Sequence, residues 1–172
     1  MERKPITHIT AGLLIAVIIV LFAIITNFLG MTQQKGLGMI QYILIIGGLI
    51  YFISQYGKAN NYHKSFGDLF AFGFKTTAVY TCIFLVFIIL FFALFPEIKE
   101  KSLQLAKEQM EASGKVTDDQ IDKAMQISRK FFWVGLVGLT AFFLVIVGAI
   151  GSLLGAAVTK KEPINPLDQL NA

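Results

Sequence analysis

The chain has 172 residues, 55% of them hydrophobic and 15% charged, with a net charge of +4 at neutral pH and a mean hydropathy of +0.67. A soluble domain sits nearer 45–50% apolar, roughly, so a water-soluble globule is excluded, and the basic balance reads as orientation in a membrane rather than a nucleic-acid footprint. A single cysteine, Cys82, excludes an intrachain disulfide and lacks the companions a metal site needs.

The charges are segregated. Residues 5–34, 36–57, 76–96 and 131–159 contain no Asp, Glu, Lys or Arg. Each window meets the roughly 20 residues a helix needs to cross a hydrocarbon core about 30 Å thick. The expected fold is an all-α integral membrane protein, one membrane domain over residues 1–172 with four transmembrane helices.

Arg3 and Lys4 precede span one, residues 10–29. Its apolar run is longer than a signal-peptide core and ends without a small-x-small cleavage site, so the helix is expected to be retained. The connection that follows holds Gly30, Lys35 and Gly36 and is short enough only to join antiparallel neighbours. Span two is predicted at 38–53. A polar connection, 54–68, carries Lys58, His63 and Lys64. Within it Ser65-Phe66-Gly67-Asp68 reads as a helix start: the Ser65 hydroxyl accepts from a backbone N–H, and Asp68 places negative charge at the positive end of the helix dipole.

Span three is predicted at 69–95, with Lys75 one to two turns inside. Pro96 closes or kinks it. Residues 97–130 hold seven basic and seven acidic side chains, a balance unlike a polybasic lipid patch. They read as two amphipathic helices around Gly114, the second capped by Thr117 and Gln120. The expectation is that spans three and four extend beyond the membrane as a helical hairpin. Its charged residues Lys107, Glu111, Asp122 and Lys123 are the candidate partner surface. Span four, 131–158, opens on Phe131, Phe132 and Trp133, an aromatic belt. The tail, 159–172, has Lys160, Lys161 and two prolines and is expected to be flexible.

Orientation follows from the basic residues near the span ends. The N-terminus, the second connection and the C-terminus carry Arg3, Lys4, Lys58, Lys64, Lys160 and Lys161, against Lys35 and a charge-balanced third connection. Both termini are therefore expected in the cytoplasm and the hairpin in the periplasm.

Chemistry-bearing residues are sparse. His8 and His63, the only histidines, fall at the same predicted interface, where ordinary solvation is the plain reading. Lys75 either snorkels to the headgroups or binds an anionic lipid or solute, with His63 and Lys64 as further candidate contacts. Thr76, Thr77, Tyr80 and Thr81 form a polar stripe on span three that either glues helices or lines a small polar cavity. Gly148, Gly151 and Gly155 on span four suit close helix packing, within one chain or between copies. No nucleophile elbow, HExxH, P-loop or intramembrane carboxylate is present, so the expectation is a non-enzymatic protein without cofactors.

The segment from Lys64 to Phe74 (Lys-Ser-Phe-Gly-Asp-Leu-Phe-Ala-Phe-Gly-Phe) is followed by Phe95-Pro96, a Glu/Lys/Gln/Met-rich helix, Gly114, the 117–120 cap and a Gly-rich last span. In this layout the chain resembles a family of small four-span proteins of Bacteroidota catalogued as domain of unknown function 4199. The resemblance implies an inner-membrane helical protein and supplies no catalytic residues. Genes of the family often lie near a membrane-associated glycosyltransferase, which implies that such an enzyme is a candidate partner. The leading expectation is a non-enzymatic inner-membrane subunit or scaffold that binds membrane lipids and a protein partner or further copies of itself, and no nucleic acid. The alternatives are a small transporter or channel for an anionic solute or lipid, and an accessory subunit of a glycosyltransferase or lipid-carrier pathway.

Overall fold

A computed structural model describes residues 6–30 and 36–162. The expectations for Arg3, Lys4 and Lys35, and for the tail from residue 163 onward, lie outside these residues. Six helices follow one another: α1 (His8–Phe28), α2 (Leu37–Ala59), α3 (Phe66–Leu94), α4 (Pro96–Ser113), α5 (Asp118–Lys130) and α6 (Phe132–Val158). Among the described residues there is no strand.

Helices α1, α2, α3 and α6 run for 21 to 29 residues and are apolar enough to cross a membrane. At a rise of about 1.5 Å per residue each exceeds a core about 30 Å thick. The chain is a multi-pass, all-helical membrane protein.

Contacts group the chain into two compact units, residues 1–84 with 143–172, and residues 85–142. In the first unit small residues share the interior with large ones such as Ile15, Ile19, Leu49 and Tyr80. Large apolar residues such as Leu13, Val17 and Leu21 are about half exposed, whereas Ala11, Gly12, Ala16, Thr76, Thr77 and Ser152 are buried. Lipid is as apolar as leucine, so burying leucine gains little there. Small residues instead let helix backbones approach and gain dispersion contacts.

The approach of α6 is organised by four-residue steps. Toward α2, Gly151 lies against Leu49, Gly155 against Ile53, and Thr159 against Gly57. Both chains advance together, so these segments are parallel. Toward α3 the order reverses: Gly148 meets Thr77 and Ser152 meets Gly73, an antiparallel pairing of a small residue with a hydroxyl residue at each step. Helix α1 closes the group, with Gly12 against Val79 and Ile15 against Gly48.

Helix α2 runs on to Ala59, six residues beyond the span expected from the uncharged window. Residues 54–59 stay helical because they pack. The Ser54 and Thr159 hydroxyls are 3.2 Å apart, and the Tyr56 ring stacks on Phe72 at 4.2 Å. The turn after α2 passes through the left-handed region at Asn61 and Tyr62 (φ 51° and 60°), uncommon for residues with a side chain. The Tyr62 N–H donates to the Gly57 carbonyl at 2.8 Å, and its own carbonyl accepts from the Glu162 N–H at 2.9 Å, which hold the turn. Ser65 then starts α3 as expected. Its hydroxyl accepts from the Asp68 N–H at 3.1 Å, while its own N–H and O–H donate to Asp68 Oδ2.

In the second unit Pro96 begins α4 directly after α3 ends, at the helix position where its missing N–H costs nothing. Gly114 ends α4 with φ 60°, a conformation open to glycine. At the start of α5 the Thr117 N–H donates to Gln120 Oε1 at 3.0 Å. Helices α4 and α5 bury Leu103, Ile121 and Met125 between them, with Met110 and Phe132 packed alongside.

The glycine contacts predict a sharp contrast. A Cβ at Gly148 would fall on the Thr77 side chain and 2.5 Å from the Tyr80 hydroxyl, whereas one at Gly135 meets nothing within 4 Å. Gly148→Ala should lower stability by roughly 1–3 kcal/mol through overpacking. Gly135→Ala should be neutral or slightly stabilising, as read by thermal unfolding in detergent.

Candidate functional site

The α1 start, the last two turns of α2 and the first turns of α3 enclose a cleft of about 430 Å³, lined by residues 6–9, Tyr56, Asp68, Ala71, Phe72 and Lys75. Each element supplies its group for a local reason. Thr7 caps α1, its hydroxyl oxygen accepting from the Thr10 N–H at 3.1 Å, which leaves His8 on the first turn. The Ser65 cap fixes Asp68 through its Oδ2. Asp68 and Lys75 are seven residues apart, two turns along one face of α3, with the small Ala71 between them. Tyr56 forms a wall, held by its stack on Phe72.

The cleft takes some of the candidate contacts and leaves others. Lys75 lines it and is exposed. His63 and Lys64 lie on the turn between α2 and α3, outside the lining residues. His8, rather than His63, joins Lys75 and Asp68. Periodicity alone hid this, because His8 and Asp68 come together only through packing of α1 on α3. Among the described residues no three His, Cys, Asp or Glu side chains group closely enough to hold a metal ion.

Basic residues crowd the same end of this unit. Lys160 pairs with Glu162 and lies over the Tyr62 ring at 5.6 Å, and Lys161 lies over Phe66 at 5.8 Å. The Lys160 ammonium holds the Glu162 carboxyl below its ordinary value by hydrogen bonding and charge, and Glu162 in turn raises Lys160.

The polar stripe of α3 is buried. Thr76, Thr77, Tyr80 and Thr81 are at most 5% exposed. Thr76 and Thr77 donate to the carbonyls of Phe72 and Gly73 at 2.9 and 3.0 Å, and Tyr80 donates across to the Leu144 carbonyl of α6 at 3.2 Å. Thr81 Oγ1 is buried without a hydrogen-bond partner. Gly148, Gly151 and Gly155 are buried in contacts within the chain.

On the second unit, Lys107 and Glu111 form an i,i+4 pair at 3.7 Å, and Arg129 pairs with Glu100 at 3.1 Å. Glu111, Asp122 and Lys123 are exposed, and Lys107 is half-buried. Lys99 and Lys130 lie over Phe132 and Phe131 at 5.0 and 5.4 Å, cations at the aromatic belt.

A family model described as "Protein of unknown function (DUF4199)" matches residues 10–161. The chain belongs to this family. No curated protein and no solved structure matches it.

Tyr80 separates the two roles of the stripe. Tyr80→Phe keeps the ring and removes one interhelical hydrogen bond, so it should lower stability by roughly 0.6 kcal/mol. Tyr80→Ala opens a cavity and should lower it by about 3–5 kcal/mol. Both are read from melting curves of the purified protein.

Proposed function

We propose that the protein is a non-catalytic subunit or scaffold of the bacterial inner membrane, with both termini cytoplasmic and the α4–α5 hairpin as its periplasmic contact surface for a protein partner. The observation that carries this reading is the division of labour within residues 85–142. The α4–α5 pair rests on Leu103, Ile121 and Met125, while Glu111, Asp122 and Lys123 project into solvent. Exposed ion pairs such as Arg129–Glu100 contribute at most about 1 kcal/mol. The surface charge is therefore dispensable for folding and free for recognition.

The orientation rests on the basic residues at the chain ends and in the α2–α3 connection. A membrane-associated glycosyltransferase, of the kind often encoded beside members of this family, is the first candidate partner. Self-association through the remaining small-residue faces is compatible with the same role. Against a transporter stands the stripe itself: its residues are buried, and Thr77 and Tyr80 pack against α6 rather than facing an aqueous path.

The test is affinity purification from the native membrane with mass spectrometry of what is retained. The double charge reversal Lys107→Glu with Asp122→Lys should reduce partner recovery at least about tenfold while shifting stability by less than about 0.5 kcal/mol. Recovery unchanged by the reversal refutes the hairpin as the contact surface. Solute flux into liposomes that depends on Lys75 refutes the scaffold reading in favour of transport.

A further inference from the structure

We propose that the cleft between α1, α2 and α3 binds the headgroup of a primary-amine phospholipid, with the phosphate on Lys75 and the ammonium on Asp68. This site is separate from the hairpin and goes beyond the scaffold reading.

The cleft, about 430 Å³, lies in the size range of small-ligand sites, about 300–1,000 Å³. Two opposite charges line it without neutralising each other. Asp68 spends Oδ2 on Ser65, and its Oδ1 carries no hydrogen bond or ion pair among the described residues. Lys75 likewise has no ion pair or hydrogen bond among them. Their Cα atoms are about 10 Å apart along the axis of α3. The Lys75 side chain leans toward the helix N-terminus and snorkels the same way, which shortens that gap.

The order of the charges with depth selects the ligand. Asp68 is in the first turn of α3, and Lys75 lies two turns further into the apolar helix. A phospholipid with an amine headgroup presents its ammonium outermost and its phosphate beneath it, the complementary order. Phosphoglycerol carries its one charge on the phosphate, at the depth of Lys75, and offers Asp68 only neutral hydroxyls, weaker partners for a carboxylate than an ammonium. A trimethylammonium group offers Asp68 no N–H donor and prefers aromatic faces, and one face of Tyr56 is already taken by Phe72.

The surroundings agree. The first turn of α1 lines the cleft beside Lys75, and the backbone N–H groups that its Thr7 cap leaves open favour a phosphate. Ala71 keeps the floor between the two charges low. Beyond Lys75 on the same face, Ala78 and Cys82 are exposed, an apolar track for an acyl chain.

The experiment is native mass spectrometry of the purified full chain, equilibrated in nanodiscs of equimolar phosphatidylethanolamine, phosphatidylcholine and phosphatidylglycerol with identical acyl chains. The wild type should retain phosphatidylethanolamine over both others by about tenfold, the worth of one charge-assisted hydrogen bond. Ala71→Leu, which fills the floor without altering charge, and Lys75→Gln should each lower that retention about tenfold. Asp68→Asn keeps an acceptor for Ser65 and should bring phosphatidylglycerol level with phosphatidylethanolamine. Equal retention of the three lipids by the wild type overturns the proposal, as does a preference for phosphatidylglycerol. So does unchanged retention in Ala71→Leu with wild-type helicity and melting. If Ala71→Leu does not fold, Lys75→Gln alone decides by the same criterion.

Discussion

The packing of the first unit depends on how closely α6 can approach its neighbours. Inside a bilayer, hiding leucine from lipid gains nothing, so helix association rests on dispersion and on hydrogen bonds between near backbones. Glycine at 148, 151 and 155 and Ser152 make that approach available on two faces of one helix. One face receives Leu49 and Ile53 of α2, the other Gly73 and Thr77 of α3. The buried hydroxyls are a consequence of this closeness. Thr77 and Ser152 each donate to a carbonyl one turn back on their own helix, so they fill small interhelical spaces without leaving a polar group unpaired.

This economy fixes where chemistry can occur. Within the bundle nearly every polar atom is already committed, with Thr81 Oγ1 the exception among the described residues. Charge with capacity to spare lies elsewhere: on Lys75 and on the Oδ1 side of Asp68 in the cleft, and on the outer surface of α4 and α5. Both proposals therefore place function at the ends of helices rather than in a passage between them.

The membrane helices were legible because lipid imposes one dominant condition, the absence of charge over a sufficient length, and single residues report it. The Ser65 and Gly114 boundaries were legible for a similarly local reason, since a cap is decided within four residues. The end of α2 was not. Ser54, Gln55 and Lys58 look like a connection, and they remain helical because Ser54, Tyr56 and Gly57 meet Thr159 and Phe72 from distant parts of the chain. The cleft was half legible. Lys75 stood out as the deepest ionisable residue, and Asp68 as a cap, but that they share a cleft with His8 depends on the α1–α3 approach at Gly12, which no periodicity displays. The stripe on α3 was visible while its role stayed open, because a hydroxyl row looks the same whether it faces water or a glycine.

The four-residue steps between α2 and α6 also act as a combination lock on assembly. Sliding α6 by one turn in one direction would bring Val147 onto Leu49, whose Cδ1 already sits 2.7 Å from where a Cβ at Gly151 would be. Sliding it the other way would bring Thr159 onto Ile53, whose Cδ1 lies 2.5 Å from a Cβ at Gly155. Repetition at a fixed step ordinarily invites slippage between helices. Here the residues flanking the glycines, one turn to either side, are the stops, so α6 has a single seat against α2.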